Sequence, residues 1–248
     1  MPIAYLTRLT ATPRSGSADL HIGLILAAVA GALNAGGFLA IGFYTSHITG
    51  AVSAFADELV LGNFAVAGIA LASWLAFAAG AATTALLVNY LRRTGARNPY
   101  ALPLLAEAAL ILVFGTFGGT LTDHAFFDVS LAVITLCFTM GLQNALITKI
   151  SRAEIRTTHM TGLTTDIGIE LGKMLYWNRR QAHGGPAPVR ADLKKLRMYA
   201  SLIAAFTFGG IAGALCFTYA GFISTVPLAL ALAAIALAPW LHAAAPQP

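Results

Sequence analysis

One polar phrase occurs twice in this chain, each time among apolar runs. Ser46–Gly50 reads SHITG and Thr158–Gly162 reads THMTG, so both contain His-x-Thr-Gly. An acid follows eleven positions after each histidine, Glu58 after His47 and Glu170 after His159. Histidine can pass a proton or bind a metal near neutral pH. Threonine hydroxyls donate and accept hydrogen bonds, and glycine lets backbone amides approach a solute closely. A metal centre would need further ligands at fixed spacing. Neither H-x-x-x-H nor H-E-x-x-H occurs, so no metal is expected. There is also no G-x-S-x-G, no P-loop and no G-x-G-x-x-G after a strand. Catalytic residues and cofactors are therefore not expected, and the chain does not read as an enzyme. ATP-driven transport by this chain alone is not expected either.

The surroundings of the two phrases set the class of protein. Of 248 residues, 58% are hydrophobic and only 10% are charged, with mean hydropathy +0.75. A soluble domain carries roughly 25% charge. So few charges cannot cover a water-facing surface, and the chain reads as an all-α, polytopic membrane protein. The net charge of +5 does not indicate a nucleic-acid partner, because the basic residues lie in short loops between apolar segments. Cys137 and Cys216 fall within apolar runs without a C-x-x-C pair, and both read as buried structural thiols.

A spanning helix needs about 20 predominantly apolar residues. Six segments qualify, at about His21–Phe43, Phe64–Leu91, Ala101–Leu121, Phe126–Ile147, Met198–Tyr219 and Thr225–Leu241. The first follows a basic stretch, as in a signal peptide, but its length and the spans after it mark a retained membrane helix. Residues 1–20 read as a polar N-terminal tail. Six spans place alternate loops on opposite sides, and all 15 Lys and Arg fall on or near one side. The other side carries Asp57, Glu58, Asp123 and Asp128. The positive-inside rule makes the basic side cytoplasmic, together with both termini. The expected location is the cell inner membrane. The long connection 149–197 becomes a cytoplasmic loop, and its stretch NRRQAHGGPAPVRADLKKLR reads as flexible and able to touch anionic headgroups. The final AAAPQP reads as disordered.

The order of features repeats. Gly31, Asn34 and Ala35 of the first span match Gly141, Asn144 and Ala145 of the fourth in the pattern G-x-x-N-A. The two polar phrases follow. Phe77-x-x-Gly80 in the second span then matches Phe206-x-x-Gly209 in the fifth. Each half, 21–125 and 126–248, holds three spans. An odd number makes the second half enter from the opposite side, so the chain reads as a 3+3 inverted-topology repeat. In transporters such repeats meet near the bilayer midplane, where broken helices form the binding site.

Irregular backbone survives at membrane depth only inside protein or beside a water-filled cavity. Gly36, Gly37 and Gly42 would let the first span unwind before its phrase. Thr49 and Thr161 read as N-caps, with Gly50 and Gly162 in the first turn of a short helix. Helix N-termini attract anions. The candidate substrate-binding residues are therefore Asn34, His47, Thr49, Gly50, Asn144, Thr158, His159, Thr161 and Gly162. Glu107, Glu58 and Asp166 are candidates for coupling to an ion, and Arg93 is a candidate partner for Glu107. Arg156 serves either an anionic solute or the topology rule.

The segments GALNAGGFLAIGFYTSHITGAVSAFADEL and GLQNALITKISRAEIRTTHMTGLTTDIG resemble the YoaK-like family of bacterial membrane proteins. That family pairs a Gly-x-x-Asn/Asp-Ala segment with a Thr-Gly stretch and repeats the pair beside an Arg-Thr-Thr run. The second copy is close to the pattern. The first departs from it, with Asn34 in place of an acid and Ala51 in place of an Asn. The resemblance covers nearly the whole chain beyond the N-terminal tail and implies a small-molecule permease. A secondary transporter for a small polar or ionic solute is the leading expectation. A structural or regulatory membrane protein without turnover comes next, then a membrane-embedded enzyme using His47 with Asp57 or Glu58. The expected partners are the lipid bilayer and the solute, with no nucleic acid. Homo-oligomerisation stays open.

Overall fold

The computed structural model describes residues 2–116, 126–176 and 187–244. Among the described residues nine α-helices follow one another and no strand occurs. They are α1 (Pro2–Thr10), α2 (Gly16–Ile41), α3 (Ile48–Val60), α4 (Phe64–Arg93), α5 (Ala101–Thr116), α6 (Phe126–Ile150), α7 (Met160–Leu175), α8 (Leu193–Ala220) and α9 (Thr225–Ala244). A 3-10 turn, Gly221–Ser224, joins α8 to α9.

Local chemistry sets several of these boundaries. Ser15 caps α2 by accepting from the amide of Ala18, and Asp19 places a carboxylate in the first turn, where the helix dipole favours it. Gly42 ends the same helix in the left-handed region, φ 69°, with its N–H donating to the Phe38 carbonyl. Asp192 caps α8 by accepting from Lys194 and Lys195 amides. The helix α2 runs unbroken through Gly36 and Gly37, which corrects the expected unwinding there. Gly36 serves packing instead, because a Cβ on it would sit 2.3 Å from the Phe217 ring.

Each of the six expected spans is helical where described, except that the first ends at Ile41, two residues short of Phe43. Four stretches are long and apolar enough to cross a bilayer: Gly16–Leu39, Phe64–Arg93, Val129–Ile150 and Leu193–His242. The last joins α8 and α9 across the 3-10 turn. Helix α5 is apolar but shorter, and residues 117–121 of the expected third span lie outside the described residues. The central helices are α2 and α6, with Ile22, Leu26, Ala30 and Leu33 of one and Met140, Leu146 and Ile147 of the other fully buried. Peripheral helices turn large apolar side chains outward, such as Leu86 of α4 and Phe208 of α8, each more than 70% exposed. An outer surface this apolar is of the kind that membrane proteins present to lipid. The chain is thus an all-helical, membrane-like protein.

Two helix pairs dominate the packing, α2 with α8 and α4 with α6. Both rest on reciprocal glycines. In the first pair, a Cβ on Gly31 would lie 2.0 Å from the Phe206 carbonyl oxygen, and one on Gly209 would lie 2.0 Å from that of Ala28. In the second, a Cβ on Gly141 would lie 2.0 Å from the Phe77 oxygen, and one on Gly80 would lie 2.0 Å from that of Phe138. No Cβ survives at such distances, so only glycine lets these backbones touch. One turn on, Thr84 donates to the Leu142 carbonyl at 2.9 Å, whereas Gly213 packs against Ala32. Helix α3 lies on α4, α7 on α8, and α5 on α9.

Three further expectations are corrected. Residues 2–10 form a helix packed on α9 and α2, with Leu9 and Thr10 buried, so this part of the N-terminal tail is docked. Within the 149–197 connection, α7 packs on α8, and Leu193–Arg197 already belongs to α8; residues 177–186, including the first part of the expected flexible stretch, lie outside the described residues. Cys137 is buried as expected, but Cys216 is exposed on α8. Residues 245–248 of the expected disordered end also lie outside the described residues.

Candidate functional site: a cavity under two matched helix starts

The two polar phrases meet at one cavity of about 550 Å³. Asn34 on α2 and Asn144 on α6 both line it. Each ties down the start of its own phrase. Asn34 Oδ1 accepts from the Ser46 hydroxyl at 2.9 Å and from the Ser46 amide at 3.2 Å. Asn144 Oδ1 accepts from the Thr158 hydroxyl at 2.8 Å, and its Nδ2 donates to the Met140 carbonyl at 2.8 Å. Thr45 and Thr157, one residue earlier in each phrase, are both fully buried, and their hydroxyls have no partner among the described residues.

The residues that open α3 and α7 are His47 and His159, in nearly the same backbone conformation, φ −93°, ψ 69° and φ −84°, ψ 59°. This corrects the assignment of Thr49 and Thr161 as N-caps; both lie inside the first turn. Neither helix start has a side-chain cap. The first intrahelical bonds run from Ala51 to His47 and from Leu163 to His159. The amides of residues 48–50 and 160–162 are thus free of intrahelical partners, as at any helix N-terminus. Gly50 and Gly162 make room for the histidine rings, since a Cβ on them would lie 2.6 Å and 2.2 Å from Nδ1 of His47 and His159. His47, Thr49, His159 and Thr161 all line the cavity, with Ile48 and Met160 beside them.

Aromatic rings complete the walls. Phe77 of α4 and Phe206 of α8 line the cavity, and their carbonyls are those seated on Gly141 and Gly31. The close helix contact and the cavity wall therefore use the same two residues. Tyr44 also lines it, stacked on Phe38 at 4.3 Å between ring centroids. The cation lining this cavity is Arg156, whose Nη1 donates to His159 Nδ1 at 3.2 Å. Arginine can only donate, so His159 Nδ1 is the acceptor in this contact. Among the described residues, no aspartate or glutamate lines the cavity.

The remaining expected site residues lie elsewhere. Gly50 sits behind His47, and Gly162 lines a neighbouring cavity of about 630 Å³ shared with Arg156, His159, Asp166 and Lys195. Glu58, near the end of α3, accepts from Asn63 Nδ2 at 2.6 Å. Glu107 is fully buried on α5, where Oε1 accepts from Gln143 Nε2 at 2.8 Å. Its expected partner Arg93 is replaced by this amide, which also donates to the Leu26 carbonyl. Glu107 Oε2 and Gln143 Oε1 have no hydrogen-bond partner among the described residues. The structure therefore brings Asn34, His47, Thr49, Asn144, Thr158, His159 and Thr161 together but leaves Gly50, Gly162, Glu107, Glu58 and Asp166 outside the cavity. Among the described residues, no three His, Cys, Asp or Glu side chains gather as a metal site would require.

A family model, Protein of unknown function (DUF1275), matches residues 22–238. The chain is a DUF1275 protein. The YoaK-like resemblance is consistent with this family. No curated protein and no solved structure matches the chain. Sequence reasoning missed Tyr44, Phe77, Phe206, Ile48 and Met160 as parts of the DUF1275 cavity. A signal existed for two of them, because Phe77 and Phe206 open the matched Phe-x-x-Gly segments.

Proposed function

We propose that this DUF1275 protein is a secondary transporter or permease for a small polar or ionic solute. On this reading six spans form a 3+3 inverted repeat in the cell inner membrane, with both termini cytoplasmic. The single observation that carries the reading is the cavity walled by both copies of the polar phrase. A volume of about 550 Å³ falls within the range of small-molecule sites. The paired contacts add support: Gly31 on Phe206 and Gly141 on Phe77 repeat one packing unit in the two halves. Inverted repeats of this kind can rock around a central site. The one-sided Lys and Arg distribution supports the orientation.

Uptake by the purified protein in proteoliposomes, screened across sugars, amino acids, organic acids and inorganic ions, tests the reading. The expected result is protein-dependent uptake of one solute class, lost in Asn34→Ala and Asn144→Ala. Folded protein without uptake of any class would remove the reading. Uptake indifferent to both asparagines would move the path away from this cavity.

A further inference from the structure

The two phrases differ most at one matched position. Tyr44 and Arg156 each stand two residues before the Ser46 or Thr158 that is anchored to an asparagine, and three before the histidine that opens the helix. Both line the cavity. The rest of the frame is paired: Asn34 with Asn144, His47 with His159, Phe77 with Phe206. A frame this even has one electrically distinct end, and Arg156 makes it.

We propose that the cavity takes an organic monoanion with a compact apolar body, its carboxylate held at Arg156 and its body lying against the Phe77 and Phe206 rings toward Tyr44. This deepens the transport reading and rests on it for the cavity's role. Four observations carry it. Arg156 has no carboxylate within salt-bridge distance among the described residues, where ion pairs join Arg14 to Asp19 and Lys173 to Glu170. Its hydrogen bond goes to His159 Nδ1 rather than to a carboxylate, so no acid in this contact cancels its charge. Among the described residues, no acidic side chain lines the cavity to attract a cation or repel an anion. Uncapped α3 and α7 add amides and dipoles of the same sign at Ile48, Thr49, Met160 and Thr161, all of which line it. An inorganic anion would use the guanidinium and amides but leave the aromatic wall without a partner. A cation would face Arg156 with nothing to neutralise it.

The test is ligand binding to the purified full-length protein at constant ionic strength. The probes are sodium benzoate, its neutral isostere benzamide, the cation benzylammonium and inorganic phosphate. Titration calorimetry and thermal unfolding both report. Benzoate is expected to bind and raise the melting temperature, with the other three weaker on the order of tenfold or more, since each loses either the charge pair or the ring contact. Arg156→Gln is expected to weaken benzoate by the order of tenfold or more while keeping its ligand-free melting temperature. Arg156→Lys, which keeps the charge but not the fork, is expected to fall between. If Arg156→Gln fails to fold, Tyr44→Arg gives the second reading: a cation at both ends is expected to admit a benzene-1,4-dicarboxylate dianion better than benzoate. Equal binding of benzoate and benzamide, preference for benzylammonium or phosphate, no benzoate response, or an Arg156→Gln titration like wild type would each overturn the proposal. Its failure is separable from failure of transport. Benzoate binding without uptake keeps the anion site and removes transport, whereas uptake independent of Arg156 does the reverse.

Discussion

At the scale of single residues, the fold depends on glycines that look interchangeable in an apolar sequence. Gly31 and Gly141 each seat a backbone carbonyl of the partner helix, and backbone cannot rotate away as a side chain can. Gly31→Ala and Gly141→Ala are expected to lower stability by similar amounts, about 1–3 kcal/mol each, read as thermal unfolding in detergent. Gly68 and Gly172 have nothing within 4 Å of where a Cβ would stand, so alanine there is expected to be neutral or stabilising. The sequence showed G-x-x-N-A twice, and the asparagines stood out because polar groups at membrane depth need a partner. The glycines' reciprocal use was not legible, because it depends on which helices pair, and pairing across the two halves is not written locally. The histidines illustrate the same limit. His-x-Thr-Gly was plain as a pattern, but threonine looked like the cap by residue preference. The ring of the histidine instead folds over the glycine three positions on, a choice decided by space.

At the scale of elements, the helix starts are held by ties that can be cut one at a time. Asn144→Ala frees Thr158, and Asn34→Ala frees Ser46, so α7 and α3 are each expected to loosen at their N-termini. The cost is about 1 kcal/mol apiece, the usual worth of an interhelical hydrogen bond in membrane proteins. Hydrogen exchange of residues 46–51 and 158–163 reads it, with each variant affecting its own segment. A different tie joins α7 to α8. Glu170 accepts from Lys173 Nζ at 2.7 Å and from the Asp192 amide at 2.7 Å, and both bonds hold its carboxyl below the ordinary glutamate value, Lys173 most. A carboxyl lowered in the folded state stabilises above its unfolded value and loses that contribution as pH falls through the folded value. The junction at residues 187–193 is therefore expected to become protease-sensitive as the pH drops below the normal carboxylate range. Glu170→Gln is expected to show part of that sensitivity at neutral pH and to leave a weaker acid dependence, carried by the Asp192 cap of α8, whose carboxyl is also held below its ordinary value by the Lys195 amide. The acid eleven residues after each histidine was legible as a match, yet the two differ. Glu58 meets only Asn63, whereas Glu170 fastens the start of another helix. Spacing cannot tell a shared ancestor from a shared job.

At the scale of the whole molecule, composition was enough to read an all-helical, membrane-like chain, because too few charges remain to cover a water-facing surface. The cavity was legible in part: Asn34, Thr49, Asn144 and Thr161 were expected to line one chamber, and all four line the cavity that the structure contains. Its aromatic wall was not, since Phe77 and Phe206 look like ordinary span residues until α4 meets α6 and α8 meets α2. Glu107 shows the reverse error, a buried acid that drew attention by its chemistry but whose seat lies among α5, α6 and α2, away from the chamber. The central claim is that the two halves enter the bilayer from opposite sides and share this chamber. Single cysteines at Asp57→Cys on α3 and Asp166→Cys on α7, in a Cys137→Ser, Cys216→Ser background, can be labelled with a membrane-impermeant maleimide in spheroplasts and in inverted vesicles. Position 57 is expected to react only from outside and position 166 only from the cytoplasmic side. Labelling of both from the same side would contradict the account.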